Sequence, residues 1–298
     1  MQIVRAAAMG MCFGVKDAIA LARQKARLGP VTVLGDLVHN PTVMDELQSA
    51  GVRVENHLEA VATPEIIITA HGAARKVIQH AQSLGFRVTE ATCPLVHHAH
   101  RALQQLVAEG CYPVVVGQSK HVEVRGMTGD LEEFSVILTP DDVLDLPERP
   151  RYGVVAQTTQ PLERVESLVA CIQKRFPKAE VRWIDTVCRP TKQRQQAAKQ
   201  LAQAVDVVVV IGGAHSNNTR ELAATCAQYC SKVYHVQGPD DLRPEWFQDA
   251  AVVGITAGTS TPDDIIDAVE NRLREWASAD MANSKVSAPA KEMCAAVP

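Results

Sequence analysis

Three cysteines sit in the same local setting: Cys12 follows IVRAAAMGM, Cys93 follows FRVTEAT, and Cys188 follows VRWIDTV. Each closes a strand-like run and opens a helical pattern. Pro94 and Pro190 stand at the start of two of these helices, where a missing N–H is tolerated. A histidine follows at near-constant distance: His39 lies 27 residues after Cys12, His121 28 after Cys93, and His215 27 after Cys188. Each stands just past a β-branched run, in VTVLGDLVH, PVVVGQSKH and VVVIGGAH. A further strand end completes each unit: ITAHG with His71, VAQTT with Thr158 and Thr159, and ITAGTS with Thr259 and Ser260. Recurrence at a fixed period marks repeated structural units.

The strand candidates 31–35, 65–70, 112–117, 152–157, 181–186, 206–213 and 251–258 are continuously apolar rather than alternating, as strands covered on both faces are. Amphipathic helical stretches separate them, so the fold class is α/β with parallel sheets. The repeat predicts three small modules in a pseudo-threefold, trefoil arrangement: residues 13–92, residues 93–187, and residues 188–276 joined by residues 1–12. Residues 277–298, rich in Ala, Ser and Lys, read as a flexible tail. Ligands of open parallel sheets collect beyond the carboxyl ends of the strands. Three modules around one axis would therefore bring Cys12, Cys93 and Cys188 to one point.

Charge and composition narrow the partners. Thirty Lys and Arg against 34 Asp and Glu give a net charge of −4, the wrong sign for non-specific binding to nucleic acid or an anionic membrane. No apolar run approaches the roughly 18 residues of a membrane helix, and the first residues lack the pattern of a secretory signal. A cytoplasmic setting is expected, where cysteines serve metals or catalysis more often than disulfides.

A thiol at a helix N-terminus is biased toward thiolate. Three in one cleft repel one another unless a metal centre neutralises them. Zinc would need a fourth ligand to close its tetrahedron. An iron–sulfur cluster, usually held by four cysteines, would keep one iron open to substrate when held by three. The wide spacing differs from the short CxxC pairs of zinc ribbons and electron-carrying ferredoxins, which favours the open cluster. Cys111, Cys171, Cys226 and Cys230 read as packing residues, the last two as an i, i+4 pair on one helix face, and Cys294 falls in the tail.

His39, His71, His121, Ser216, Asn217, Asn218 and Ser260 all fall at strand-to-helix junctions, where donors can hold a compact anion such as a diphosphate. No phosphate-loop or dinucleotide fingerprint is present. Ser216 to Thr219 also read as the cap of a helix starting at Thr219. Glu123, two residues after His121, is the carboxylate placed for general acid work if burial raises its pKa. His97, His98 and His100 lie on an amphipathic helix and read as a solvated face.

The segments MCFGVKDAI, LVHNPTV, TAHG, EATCPLV, HVEVRG, QTT, DTVCRPTKQRQ, SNNT and TAGTSTPD resemble, in order and spacing, the 4-hydroxy-3-methylbut-2-enyl diphosphate reductases. The resemblance runs over about residues 1–275. It implies a [4Fe-4S] cluster on Cys12, Cys93 and Cys188. It also implies that His39, His71, Ser216, Asn218 and Ser260 hold a diphosphate, with Asn217 adjacent and His121 near the substrate hydroxyl. Glu123 would deliver protons, Thr158 would relay them, and ferredoxin or flavodoxin would supply two electrons one at a time. The product would be isopentenyl or dimethylallyl diphosphate, completing the methylerythritol phosphate route. The chain departs from the family around Glu123, with Lys120 and Val122 for Gly and Pro, and Met127 and Thr128 in inverted order; His97 and His98 replace Thr-Lys. A non-redox metal hydro-lyase and a cluster-based redox sensor are the competing classes.

Overall fold

The computed structural model describes residues 1–286 of the 298. The chain opens with β1 (Gln2–Arg5) and α1 (Phe13–Leu28), then runs β2 (Val31–Leu34), α2 (Pro41–Ser49), β3 (Val52–Glu55), β4 (Glu65–Ile68), α3 (Arg75–Ser83) and β5 (Arg87–Glu90). The second stretch holds α4 (Pro94–Ala108), β6 (Tyr112–Val116), α5 (Val122–Thr128), β7 (Ser135–Ile137), β8 (Arg151–Ala156), α6 (Leu162–Arg175) and β9 (Glu180–Trp183). The third holds α7 (Arg189–Ala202), β10 (Val207–Ile211), α8 (Asn217–Ala227), β11 (Val233–Val236), β12 (Val252–Ala257) and α9 (Asp263–Val286).

The strands form three parallel four-stranded sheets of one design. Their orders are β3-β2-β4-β5, β7-β6-β8-β9 and β11-β10-β12-β1. β1 therefore occupies in the third sheet the edge that β5 and β9 occupy in the others, with Gln2 to Arg5 in register with Val252 to Ile255. Each cysteine follows this edge strand and leads the chain into the next unit. The apolar runs have a direct cause: Val207, Val209 and Ile211 face a core that includes α9, while Val208 and Val210 face α7 and α8. In the second sheet Val114 and Val116 oppose Val115 in the same way. Both faces are buried, so alternation is erased.

Three local expectations are corrected. The segment expected to be a tail from residue 277 begins as helix, because α9 runs on to Val286. Trp276 and Ala277 pack at its base, and no Gly or Pro interrupts the Ala-rich run. The rest of that segment, with Cys294, lies outside the described residues. Helix α8 starts at Asn217 rather than Thr219, because the hydroxyl of Ser216 accepts from the N–H of Thr219 at 3.3 Å and caps it earlier. Cys230 lies beyond the end of α8, yet shares a buried core with Cys226. Among the described residues no helix is long and apolar enough to cross a membrane.

Candidate active site

The three cysteines occupy one position repeated three times. Cys12, Cys93 and Cys188 are the N-cap residues of α1, α4 and α7, and none spends its side chain on the cap. Their backbone N–H groups donate to equivalent carbonyls past the central strands: Cys12 to Thr259 at 3.0 Å, Cys93 to Ala70 at 3.1 Å, and Cys188 to Thr158 at 3.0 Å. The helix dipoles of α1, α4 and α7 thus begin at the thiols. Cys93 and the Cys12 segment touch, since a Cβ added at Gly14 would overlap Cys93 Sγ. Burial pushes the Cys93 thiol up, and that of Cys188 up to about 11, with the charges of Cys12 and Glu123 adding to both.

This donor set fits a multinuclear sulfur-ligated centre. The side chain withheld at Gly14 leaves a cradle beside Cys93. The thiols are half-buried and free of disulfides. Among the described residues no group of three or more His, Cys, Asp and Glu could hold a single metal ion. A cluster spreads its ligands over several irons.

Next to the cysteines the histidines converge. The rings of His39 and His71 stack with centroids 4.2 Å apart, and His121 meets them edge-on at 5.1 and 5.6 Å. Burial lowers the pKa of His39, holds His71 well below the ordinary value, and takes His121 down to about 3. The rings are therefore neutral at pH 7. His215, equivalent in sequence, is exposed, and Ser216 beside it is buried instead. Ser260 donates to the carbonyl of His39 at 3.1 Å, tying the third sheet to the first. Asn218 Oδ1 accepts from the N–H of Thr259 at 3.0 Å. Asn217 bridges two units: its amide donates to Thr159 Oγ1 at 2.8 Å, and its carbonyl oxygen accepts from Gln118 Nε2 at 2.8 Å.

Several of these groups are left incomplete. Both ring nitrogens of His39, Nδ1 of His71 and Nδ2 of Asn218 are buried with no hydrogen-bond partner. An unmet buried donor or acceptor costs about 1–3 kcal/mol, so these four atoms are open to a polar ligand.

Glu123 completes the site from α5. It is 1% exposed, and burial raises its pKa to about 7 despite two bonds from Thr158. Those bonds run from the Thr158 N–H to Oε1 at 2.6 Å and from its hydroxyl to Oε2 at 3.0 Å. His121 Nδ1 accepts from the N–H of Glu123 at 3.1 Å, so the histidine caps the short helix that carries the acid. The His97, His98 and His100 reading needs revision at one residue. His98 is exposed, whereas His100 turns inward with Val96, Ala99 and Leu103 on the buried face of α4. Its Nε2 is buried against Gly72, and its pKa falls to about 4.

Two functional neighbours escaped the sequence reading. Gln118 links Asn217 to Arg220, whose guanidinium donates to Gln118 Oε1 at 3.0 Å. Arg194 lies buried in α7 beside the cysteine loops. Neither carries a signal in a single sequence, because each works through a tertiary contact with a distant segment.

With this geometry in place, comparison with known proteins is decisive. The profile described as "LytB protein" matches residues 3–274. The chain belongs to the LytB protein family. Similar relatives named 4-hydroxy-3-methylbut-2-enyl diphosphate reductase include that of Citrifermentans bemidjiense, 40% identical with 92% of this chain and 97% of that protein covered. Those of Pelobacter propionicus (38%; 92% and 98% covered) and Aquifex aeolicus (37%; 95% and 99%) agree. A solved (E)-4-hydroxy-3-methyl-but-2-enyl diphosphate reductase, described as the terminal enzyme of the non-mevalonate pathway, is 37% identical. It superposes with a TM-score of 0.66 over 92% of this chain and all of that one. The Plasmodium falciparum E-1-hydroxy-2-methyl-but-2-enyl-4-diphosphate reductase, at 24% identity, shares the fold with a TM-score of 0.86, covering 91% of this chain and 87% of that one. The three relatives of this LytB chain are covered over 97–99% of their own length.

Proposed function

We propose that the protein catalyses the reductive dehydroxylation of 4-hydroxy-3-methylbut-2-enyl diphosphate to isopentenyl and dimethylallyl diphosphate, in the cytoplasm. The observation that carries this reading is the set of unpartnered buried polar atoms on His39, His71 and Asn218, which suits a diphosphate. LytB membership implies an iron–sulfur cluster. We take it to be [4Fe-4S], held by Cys12, Cys93 and Cys188. When bound, such a centre supplies single electrons and Lewis acidity at the substrate hydroxyl. Ferredoxin or flavodoxin is the expected donor.

The chain's own groups supply the rest. The neutral rings of His39 and His71, with Ser216, Asn218 and Ser260, orient the diphosphate through hydrogen bonds, and α8 directs its N-terminus toward it. Asn217, engaged at both ends, acts as the bridge that keeps α8 against Thr159. His121 stands between the anion-holding rings and the acid. Glu123, half-protonated near pH 7, donates through Thr158 to the departing oxygen, which leaves as water. The balance is two electrons and two protons: one proton leaves in water and the other ends on carbon.

The test is anaerobic turnover of the hydroxylated diphosphate with a reduced one-electron dye. Dehydroxylated diphosphates appearing only with reductant support the reading. Turnover without reductant would indicate the hydro-lyase. Neither turnover nor diphosphate affinity would indicate the sensor.

A further inference from the structure

Arg194 presents a buried positive charge with no negative partner. It is 8% exposed, and among the described residues no carboxylate forms a salt bridge with it. Its hydrogen bonds go to two backbone carbonyls: Nε donates to Gly10 O at 2.9 Å, and Nη1 to Pro190 O at 3.1 Å. Gly10 lies two residues before Cys12, and Pro190 stands in the first turn of α7, which Cys188 caps, so one guanidinium ties the Cys12 loop to the start of its own Cys188-capped helix. Burial of an ion without a counter-charge is costly, and breaking such balances is strongly destabilising. The missing negative charge must come from the groups that Arg194 faces. Burial holds the Arg194 guanidinium below its ordinary pKa, and the charged forms of Cys12 and Cys188 oppose that shift.

We propose that Arg194 is a positioning and charge-compensating residue for the sulfur-ligated centre, one that eases its one-electron reduction. This inference rests on the cluster reading above. Three thiolates confer excess negative charge, and an added electron from the donor protein makes the centre more negative by one unit with no proton taken up. A fixed cation in a poorly solvated site stabilises the reduced form more than the oxidised one. Removing the charge makes the centre harder to reduce. Arginine suits the position, because its guanidinium stays charged when buried and its planar fork spans both carbonyls.

The experiment compares anaerobically purified wild type with Arg194→Gln and Arg194→Lys, reading iron and sulfide content, far-ultraviolet circular dichroism, and midpoint potential by EPR-monitored titration. In Arg194→Gln the reduced-to-oxidised ratio at the wild-type midpoint should fall about tenfold, which is 59 mV for one electron. Arg194→Lys should recover most of that shift. A folded Arg194→Gln that cannot hold the cluster where Arg194→Lys can also supports the proposal. Equal potentials in all three proteins, equal shifts in both variants, or loss of folding in both would overturn it and leave a purely structural arginine. Wild type without a cluster would instead refute the functional reading itself.

Discussion

Thr158 holds both oxygens of the Glu123 carboxylate, through its N–H at 2.6 Å and its hydroxyl at 3.0 Å. The two bonds favour the carboxylate, yet burial outweighs them and leaves the pKa near 7. The same threonine accepts the Cys188 N–H through its carbonyl, so acid and thiol are fixed from one residue.

A proton donor with this pKa is lost as pH rises through about 7, so kcat/KM should fall on that alkaline limb. Thr158→Val removes a bond that lowers the Glu123 pKa, so its limb should move to higher pH while the maximum rate drops. Glu123→Gln should cut turnover by about 10²- to 10⁴-fold and leave pyrophosphate affinity unchanged. Steady-state profiles with isothermal titration of pyrophosphate provide the check; full activity in Glu123→Gln would take it off the proton path.

Gly14 is the contact point between the Cys12 and Cys93 segments. Alanine is normally worth about 1 kcal/mol over glycine inside a helix, so an isolated α1 would gain from the change. Here the added methyl meets Cys93 Sγ, with Cys93 Cβ at 3.1 Å. Gly14→Ala should therefore lose about 1–3 kcal/mol in denaturant unfolding and purify with reduced iron. A more stable, iron-replete variant would contradict the contact.

How far the sequence spoke can be judged from particular residues. Cys12, Cys93, Cys188, His39 and His121 were visible because a repeat places like residues at like strand ends, and the sheets keep that order; the same repeat also pointed to His215, which is exposed. Glu123 stood in a motif, but its burial was not legible: the α5 segment VEVRG is short, and only tertiary packing, with Thr158 on the carboxylate, closes over it. His100 was misread because His97 and His98, its neighbours, are partly solvated and periodicity alone set the whole cluster on one face. Arg194 and Gln118 were invisible, since their partners Gly10 and Asn217 lie 184 and 99 residues away in the chain. The edge strands β3, β7 and β11 were missed because VRVE, SVI and VYHV mix polar with apolar residues and lack the continuous apolar run of the central strands.

His100 should make stability pH-dependent. Its folded pKa of about 4 lies below the ordinary 6.5, through burial and the charge of His97, with Asp130 opposing. The unfolded chain binds the extra proton first, so the stabilising contribution is full above pH 6.5 and drains away as pH falls toward 4. The slope from this group is at most about 1.4 kcal/mol per pH unit. His100→Gln should flatten the dependence of the urea midpoint over that range, with His71 and His121 supplying what remains. An unaltered slope would mean that His100 is solvated.

Arg220 has no salt bridge among the described residues, and its charge reaches both His39 and His121. Arg220→Gln should weaken pyrophosphate binding severalfold at low salt. The difference should largely vanish at 1 M, where the Debye length is about 3 Å. Gln118→Ala, which frees the guanidinium, should show part of the same loss. Identical salt dependence in wild type and Arg220→Gln would exclude the arginine from anion capture.

Iron and acid-labile sulfide, counted in protein purified without oxygen, bear most directly on the convergence of three sulfurs around one inorganic hub. About four of each per chain are expected in wild type and in Cys226→Ser, with loss in Cys12→Ser, Cys93→Ser and Cys188→Ser. Stoichiometric zinc without sulfide, or iron content indifferent to those three substitutions, would contradict the account.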